Sequence, residues 1–169
     1  MVIWVHCMCR LGVDIGNVII NNQLIDCNDQ AFYVNHYSQV PPIKDAFEVL
    51  KKINNRQLNN RIYLVSRCPE YAEAIILKWL RENNFYDKTG IDINNIYFCR
   101  ERKEKAVICE RLKITHFVDD RYEVLSYMTE TNKHLYLFQP NKYEVQKFLK
   151  LPKNIKIVNS WFEILNELN

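Results

Sequence analysis

The feature that most constrains this chain is an alternation of short apolar runs with longer stretches of helical periodicity. The runs lie at residues 9–13, 62–65, 96–99, 116–118, 135–138 and 155–158. Short apolar runs of this kind are buried strands, and helix-length segments between them are the crossovers that parallel strands need. The pattern predicts an α/β fold with three layers, a parallel sheet carrying helices on both faces. A chain of 169 residues suits one such domain over 1–169, with a sizeable core.

The intervening segments carry the expected stripes. Ile43, Phe47, Leu50 and Ile53 share a face after Pro41 and Pro42. Ala72, Ile75, Ile76, Trp79 and Leu80 make a second stripe, with Pro69 near the helix start. Ala106, Cys109 and Leu112 make a third, Val124, Leu125 and Met128 a fourth, and 143–149 a fifth. Ser160 and Glu163 have capping-box spacing ahead of Ile164, Leu165 and Leu168. All of these stripes read as core. The segment 21–39 is polar, with aromatics at Phe32, Tyr33 and Tyr37. It forms either a small cap or lid over the carboxyl edge of the sheet, or a surface loop with a short helix.

Composition narrows the function. A net charge of +3, with scattered basic residues, excludes a dedicated nucleic-acid binder. The densest basic stretches are Lys51–Lys52, which suits a solvated helix face, and 100–105. The six cysteines are irregularly spaced, with one C-x-C at Cys7 and Cys9, which matches no zinc ligand set. Free thiols in apolar stretches point to a reducing, cytoplasmic setting. Residues 1–9 are apolar but short and interrupted by His6, so neither a signal peptide nor a membrane span is expected.

Parallel sheets bind ligands at the carboxyl ends of their strands. Asp14 follows the first run, Ser66 and Arg67 the second, and Asp119 and Asp120 the fourth, while Lys105 opens the helix before the fourth. Carboxylates at two strand ends suit Mg²⁺, which prefers oxygen ligands. One carboxylate can attack phosphorus, and a hydroxyl and an ammonium can hold the phosphoryl oxygens. Arg67 and Arg121 flank this edge, and His36 falls in the candidate lid. His116 points to a helix–sheet contact or to solvent rather than to catalysis.

These residues resemble the ordered motifs of the haloacid dehalogenase-like (HAD) hydrolases. The stretch 11–19, LGVDIGNVI, is similar to the first motif in a D-x-G-N-V form. The stretch 62–66, IYLVS, resembles the second, Lys105 the third, and 115–120, THFVDD, the fourth in its DD form. The set spans most of the chain in the family order. The resemblance implies a Rossmann-like sheet with a small cap inserted after the first strand. It implies Asp14 as nucleophile and metal ligand, the Gly16 carbonyl as a second ligand, and Asp120 as the main acidic ligand with Asp119 assisting. Ser66 and Lys105 would bind phosphate, with Lys103 a competitor for Lys105, and Asn17 and Arg67 would contact substrate. The implied cofactor is Mg²⁺, and the implied substrate is a small phosphorylated metabolite or nucleotide. A small cap also leaves room for a nucleic-acid terminus or a phosphoprotein; no membrane partner is expected.

One departure is visible. Many HAD phosphatases carry a second Asp two residues after the nucleophile as a proton donor, and this chain has Gly16 there. General acid catalysis is worth about 10²–10⁴ in rate. The departure keeps open a non-catalytic module that binds a phosphorylated ligand or a partner protein. Carbon–halogen hydrolysis uses the same aspartate without metal, and the Asp119–Asp120 pair argues against it.

Overall fold

A computed structural model describes residues 9–22, 34–58, 60–131, 133–147 and 150–168. Its strands are β1 (Leu11–Val13), β2 (Ile62–Arg67), β3 (Ile96–Cys99), β4 (His116–Asp119), β5 (His134–Phe138) and β6 (Ile155–Val158). Its helices are α1 (Ala46–Ile53), α2 (Glu70–Glu82), α3 (Phe85–Thr89), α4 (Glu104–Arg111), α5 (Tyr122–Ser126), α6 (Lys142–Val145) and α7 (Trp161–Glu167). The strands form one parallel sheet in the order β3-β2-β1-β4-β5-β6. The chain winds outward from β1 to β3, then crosses back to build β4, β5 and β6 on the other side. The reversal leaves a crevice at the carboxyl ends of β1 and β4.

Strand alternation divides the core into two layers. Leu11, Val13, Leu64, Val118 and Phe138 pack with Leu50 of α1, Trp79 of α2 and Trp161 of α7. Val65, Phe117, Leu135 and Leu137 pack with Cys109 of α4 and with Val124 and Leu125 of α5. The buried indoles keep hydrogen-bond partners, Trp79 Nε1 donating to the Val40 carbonyl and Trp161 Nε1 to the Val18 carbonyl.

The apolar runs at 96–99 and 155–158 become β3 and β6 with the expected limits. β2 and β4 run further than the apolar pattern, through Arg67 and Asp119, because polar residues at a sheet's carboxyl edge still pair. The first helix starts at Ala46 rather than Ile43, although Ile43 is buried in the preceding turn and its N–H donates to the Ile19 carbonyl. The stripe at 143–149 does not form a core helix, a correction to the sequence reading. α6 is one turn, with Tyr143 and Val145 exposed and Glu144 buried. Asn141 caps that turn, and Glu144 turns inward to accept the Tyr122 N–H at the start of α5, so its inner face is polar. Leu149 lies outside the described residues. So do Phe32 and Tyr33, with most of the cap segment 21–39; of that segment Asn21, Asn22 and 34–39 are described, and Tyr37 is buried.

Gly12 shows how tight the central layer is. It sits opposite Phe117 in the β1–β4 register. A Cβ there would come within 2.5 Å of the Phe117 ring and 2.9 Å of Ile114. Gly12→Ala should therefore destabilise the fold by about 1–3 kcal/mol through overpacking. Urea unfolding of the variant checks this, and an unchanged midpoint would show that the Phe117 ring relaxes without cost.

Candidate active site

The site follows from the register of three central strands. Val13 pairs with both Leu64 and Val118, so the next residue, Asp14, stands beside Asp119, and its N–H donates to the Val118 carbonyl. Gly12 faces the α4 layer, and alternation turns Asp14 the same way. Asp119 shares that face with Phe117. α4 presents Lys105 one turn before buried Cys109, on its inward side. The ammonium of Lys105 thus rises between the two carboxylates, 2.8 Å from Asp14 Oδ1 and 2.8 Å from Asp119 Oδ2. All three side chains are buried.

Burial alone would push the Lys105 pKa down; the Asp119 and Asp14 charges outweigh it and hold the ammonium above its ordinary range. Burial, helped by the Asp14 and Asp120 charges, pushes the Asp119 carboxyl up, with Lys105 opposing. Asp120 is also raised, by burial and then by Asp14. Both oxygens of Asp119 are engaged, one by Lys105 and one by the Arg121 N–H. Asp120 lies on the cavity wall, where its Oδ2 accepts from Asn17 Nδ2 at 3.0 Å.

Asp14, Asn17, Lys105 and Asp120 line a cavity of about 560 Å³ with Gly16, Ser66 and Arg67 on its wall. Ser66 is buried inside β2 and does not cap α2, whose first residue follows Pro69 without a side-chain cap. Lys103 is the exposed residue preceding α4 and pairs with Glu101 at 2.8 Å, whereas Lys105 reaches Asp14. Arg121 lines the cavity, and its guanidinium lies 3.8 Å from Glu144. His36 is exposed and does not line this cavity. His116 lies at the opposite, amino end of β4, stacked on His134, and burial pushes its pKa down to about 4. The thiol of Cys68, also on the cavity wall, is pushed up to about 11 by burial and stays protonated at neutral pH.

Among the wall residues that sequence reasoning missed are Asn22, Arg102 and Tyr71. Arg102 belonged to the basic stretch 100–105, but no local pattern marks which of those side chains turns toward the edge. Asn22 is visible only in three dimensions. A Cβ built on Gly16 would lie 2.9 Å from Asn22 Nδ2, so a carboxamide fills the space above the glycine.

The donor set fits a divalent cation. Carboxylate oxygens of Asp14, Asp119 and Asp120 lie within 4.8 Å of one another, and Oδ1 of neighbouring Asn17 is buried without a hydrogen-bond partner among the described residues. Three carboxylates against one lysine leave an excess of negative charge that such an ion would offset.

The solved structures with this architecture decide the fold. D,D-heptose 1,7-bisphosphate phosphatase from Burkholderia thailandensis matches over 94% of this chain and 97% of its own, with a TM-score of 0.65 and 13% identity. The enzyme of the same name from B. bronchiseptica, solved with magnesium and phosphate, matches over the same shares with a TM-score of 0.60 and 13% identity. A "putative haloacid dehalogenase-like hydrolase" from Burkholderia xenovorans shares the fold, with a TM-score of 0.66 and 10% identity over 94% of this chain and 95% of its own, so the fold is one that HAD hydrolases adopt. No family model matches the chain. Among curated proteins, the one named "Putative nucleotidase OB0422" from Oceanobacillus iheyensis is 24% identical over 130 residues. That match takes in 77% of this chain, and the chain spans only 63% of that relative's length. Among the described residues, no helix is long and apolar enough to cross a membrane.

Lys105→Met should cost about 3–5 kcal/mol, because it leaves Asp14 and Asp119 buried face to face. The raised Lys105 pKa means its contribution is fully present below 10.5, its ordinary value, and is lost only as pH rises through the higher folded value. Acid should shrink the cost of the substitution as Asp119, whose carboxyl is pushed up by burial, takes up a proton. Urea unfolding at neutral and acid pH measures both effects, and a neutral substitution at both would show that the ion pairs contribute nothing net.

Proposed function

We propose that this chain is a Mg²⁺-dependent phosphoric monoester hydrolase of the HAD type, acting on a small phosphorylated metabolite or nucleotide. The observation that carries the reading is the Asp14–Lys105–Asp119 arrangement at the reversal point of the sheet, with Asp120 facing the same cavity. The nucleotidase name of the relative from O. iheyensis supports a nucleotide, and the named activity of the structural neighbours supports a phosphate ester.

In this mechanism Oδ2 of Asp14, the oxygen that Lys105 does not hold, attacks phosphorus. A carboxylate oxygen–phosphorus bond forms, the bond from phosphorus to the ester oxygen breaks, and that oxygen departs with the electron pair as an alkoxide or aryloxide, which takes its proton from solvent. Water then attacks the aspartyl phosphate at phosphorus, releasing inorganic phosphate and restoring the carboxylate. Ser66 and Lys105 hold non-bridging oxygens, while Asn17 and Arg67 contact the substrate. Lys105 also fixes the direction of the Asp14 carboxylate. A Mg²⁺ ion held by Asp14, the Gly16 carbonyl and Asp120, with Asp119 assisting, would neutralise and orient the phosphoryl group.

Hydrolysis of p-nitrophenyl phosphate and nucleoside monophosphates should require Mg²⁺ and stop on chelation, and Asp14→Asn should abolish turnover while keeping the fold. Full turnover in excess chelator would remove the metal from the proposal, and a wild-type rate in the variant would remove the covalent step.

Gly16 supplies no proton to the leaving group. Rates should therefore depend steeply on leaving-group acidity, with aryl and acyl phosphates much better than alkyl phosphates of similar size. A series of esters of graded leaving-group pKa, compared by kcat/KM, tests this, and a flat series rejects the missing-acid account. Gly16, with the Asn22 amide above it, also favours a second reading, a module that binds a phosphorylated ligand without turnover. Mg²⁺ binding at Asp14 and Asp120 with no ester hydrolysed would select that reading.

A further inference from the structure

We infer that the cavity continues into a second anion subsite, built by Arg67, Arg100, Arg102 and Lys103, and that the preferred substrate carries a second phosphate on this side of the scissile one. The inference rests on the phosphatase reading above and narrows its substrate class.

Two smaller cavities of about 290 Å³ each adjoin the main one along the sheet edge. They differ in charge. The cavity on the β2–β3 side shares Arg67 and Arg102 with the main cavity and adds Arg100 and Lys103, against Glu101 and Glu123. The cavity on the β4–β5 side is lined by Asp120 and Glu144 against Arg121, with Lys147 paired to Glu144 beside it. A second phosphate is therefore attracted to one arm rather than the other.

The basic arm is held in shape by its own hydrogen bonds. Arg67 Nε donates to the Arg100 carbonyl at 3.1 Å, and Arg100 Nη1 donates to the Cys68 carbonyl at 3.1 Å. The ends of β2 and β3 are thus locked by reciprocal guanidinium–carbonyl bonds. Glu104 Oε2 accepts both the Arg100 and the Glu101 N–H at 2.8 Å, which fixes the loop before α4. Arg100, Arg102 and Lys103 pair with Glu73, Glu123 and Glu101. Among the described residues Arg67 has no carboxylate partner, and its outer guanidinium nitrogens are left for an anion. Exposed ion pairs of the other three are weakly held. A phosphate dianion offers stronger, bidentate acceptors to guanidinium groups than those pairs provide.

The test uses adenosine 5′-monophosphate, adenosine 3′,5′-bisphosphate and inorganic phosphate, bound calorimetrically to the Asp14→Asn protein with Mg²⁺. The bisphosphate should bind about tenfold tighter than the monophosphate, and the gain should shrink with added salt. Lys103→Glu, at an exposed side chain, should remove most of that gain while weakening monophosphate binding much less. Arg67→Gln should also remove the gain. Equal affinities for the two nucleotides, or a gain that survives both substitutions, overturns the subsite. A second equivalent of inorganic phosphate binding beside the monophosphate, without a bisphosphate gain, overturns the substrate-borne form and makes the arm a free-anion site. If the wild-type protein hydrolyses p-nitrophenyl phosphate while the nucleotides bind equally, the subsite fails and the phosphatase reading stands. If no ester is hydrolysed and no phosphate compound binds, the phosphatase reading falls and takes the subsite with it.

Discussion

The ammonium of Lys105, buried between Asp14 and Asp119, is the interaction on which the carboxyl edge of this sheet depends. Taking three charged groups out of water is costly, and mutual attraction offsets that cost only when the geometry is good. Here the geometry comes from elements that have no freedom to drift. Two carboxylates are carried at one register level on neighbouring central strands, and the lysine projects from the buried side of a packed helix. The bridge also joins that helix to the switch point of the sheet, so the packing that holds the fold and the packing that aims Asp14 are the same.

The tandem acids Asp119 and Asp120 illustrate how strand geometry divides labour between adjacent residues. Asp119 is the last residue of β4 and shares the face of Phe117, toward α4, where Lys105 and the Arg121 N–H take both its oxygens. Asp120 has left the strand, and its carboxylate reaches the cavity and meets Asn17. One acid steadies the lysine, and the other remains available to a ligand. An exchange of these roles would need a one-residue slip of β4, which would also turn Phe117 and Val118 onto the wrong layers.

The sheet was legible in the sequence because every strand is an apolar run too short for a helix. The same holds for Lys105, whose place four residues before Cys109 puts it on the inward face of its helix while Lys103 falls off it. What could not be read were features that depend on contacts between distant segments. The stripe at 143–149 has the composition of a core helix, yet Glu144 takes the inward position because the Tyr122 N–H, 22 residues away in the chain, needs an acceptor. The basic stretch 100–105 gave no sign that Arg67, at the end of another strand, would share a cavity with it. Strand order, and with it the reversal between β1 and β4, is likewise a long-range property that periodicity does not contain.

The segment after β1 explains how an edge without the usual second aspartate is still an organised site. Ile15, Val18, Ile19 and Ile20 are fully buried, and the Ile19 and Ile20 N–H groups both donate to the Ile15 carbonyl. Asn17 takes a left-handed conformation, φ 58°, which an asparagine tolerates, and so turns its amide toward Asp120. The loop is thus an apolar plug with its polar residues facing the cavity, and Asp14 is mounted on a rigid base rather than on a flexible turn. Above Gly16 the available space belongs to the Asn22 carboxamide. A carboxamide can donate a hydrogen bond to a departing oxygen, but it has no proton to give up at neutral pH. Its own Oδ1, and that of Asn17, are buried without a partner among the described residues. A buried acceptor left unpaired costs about 1–3 kcal/mol, so each of these is a place for a water, an ion or a ligand donor. In the proposed reaction the Asn22 amide would orient the departing oxygen, and with no acid at position 16 the proton for that oxygen would come from solvent.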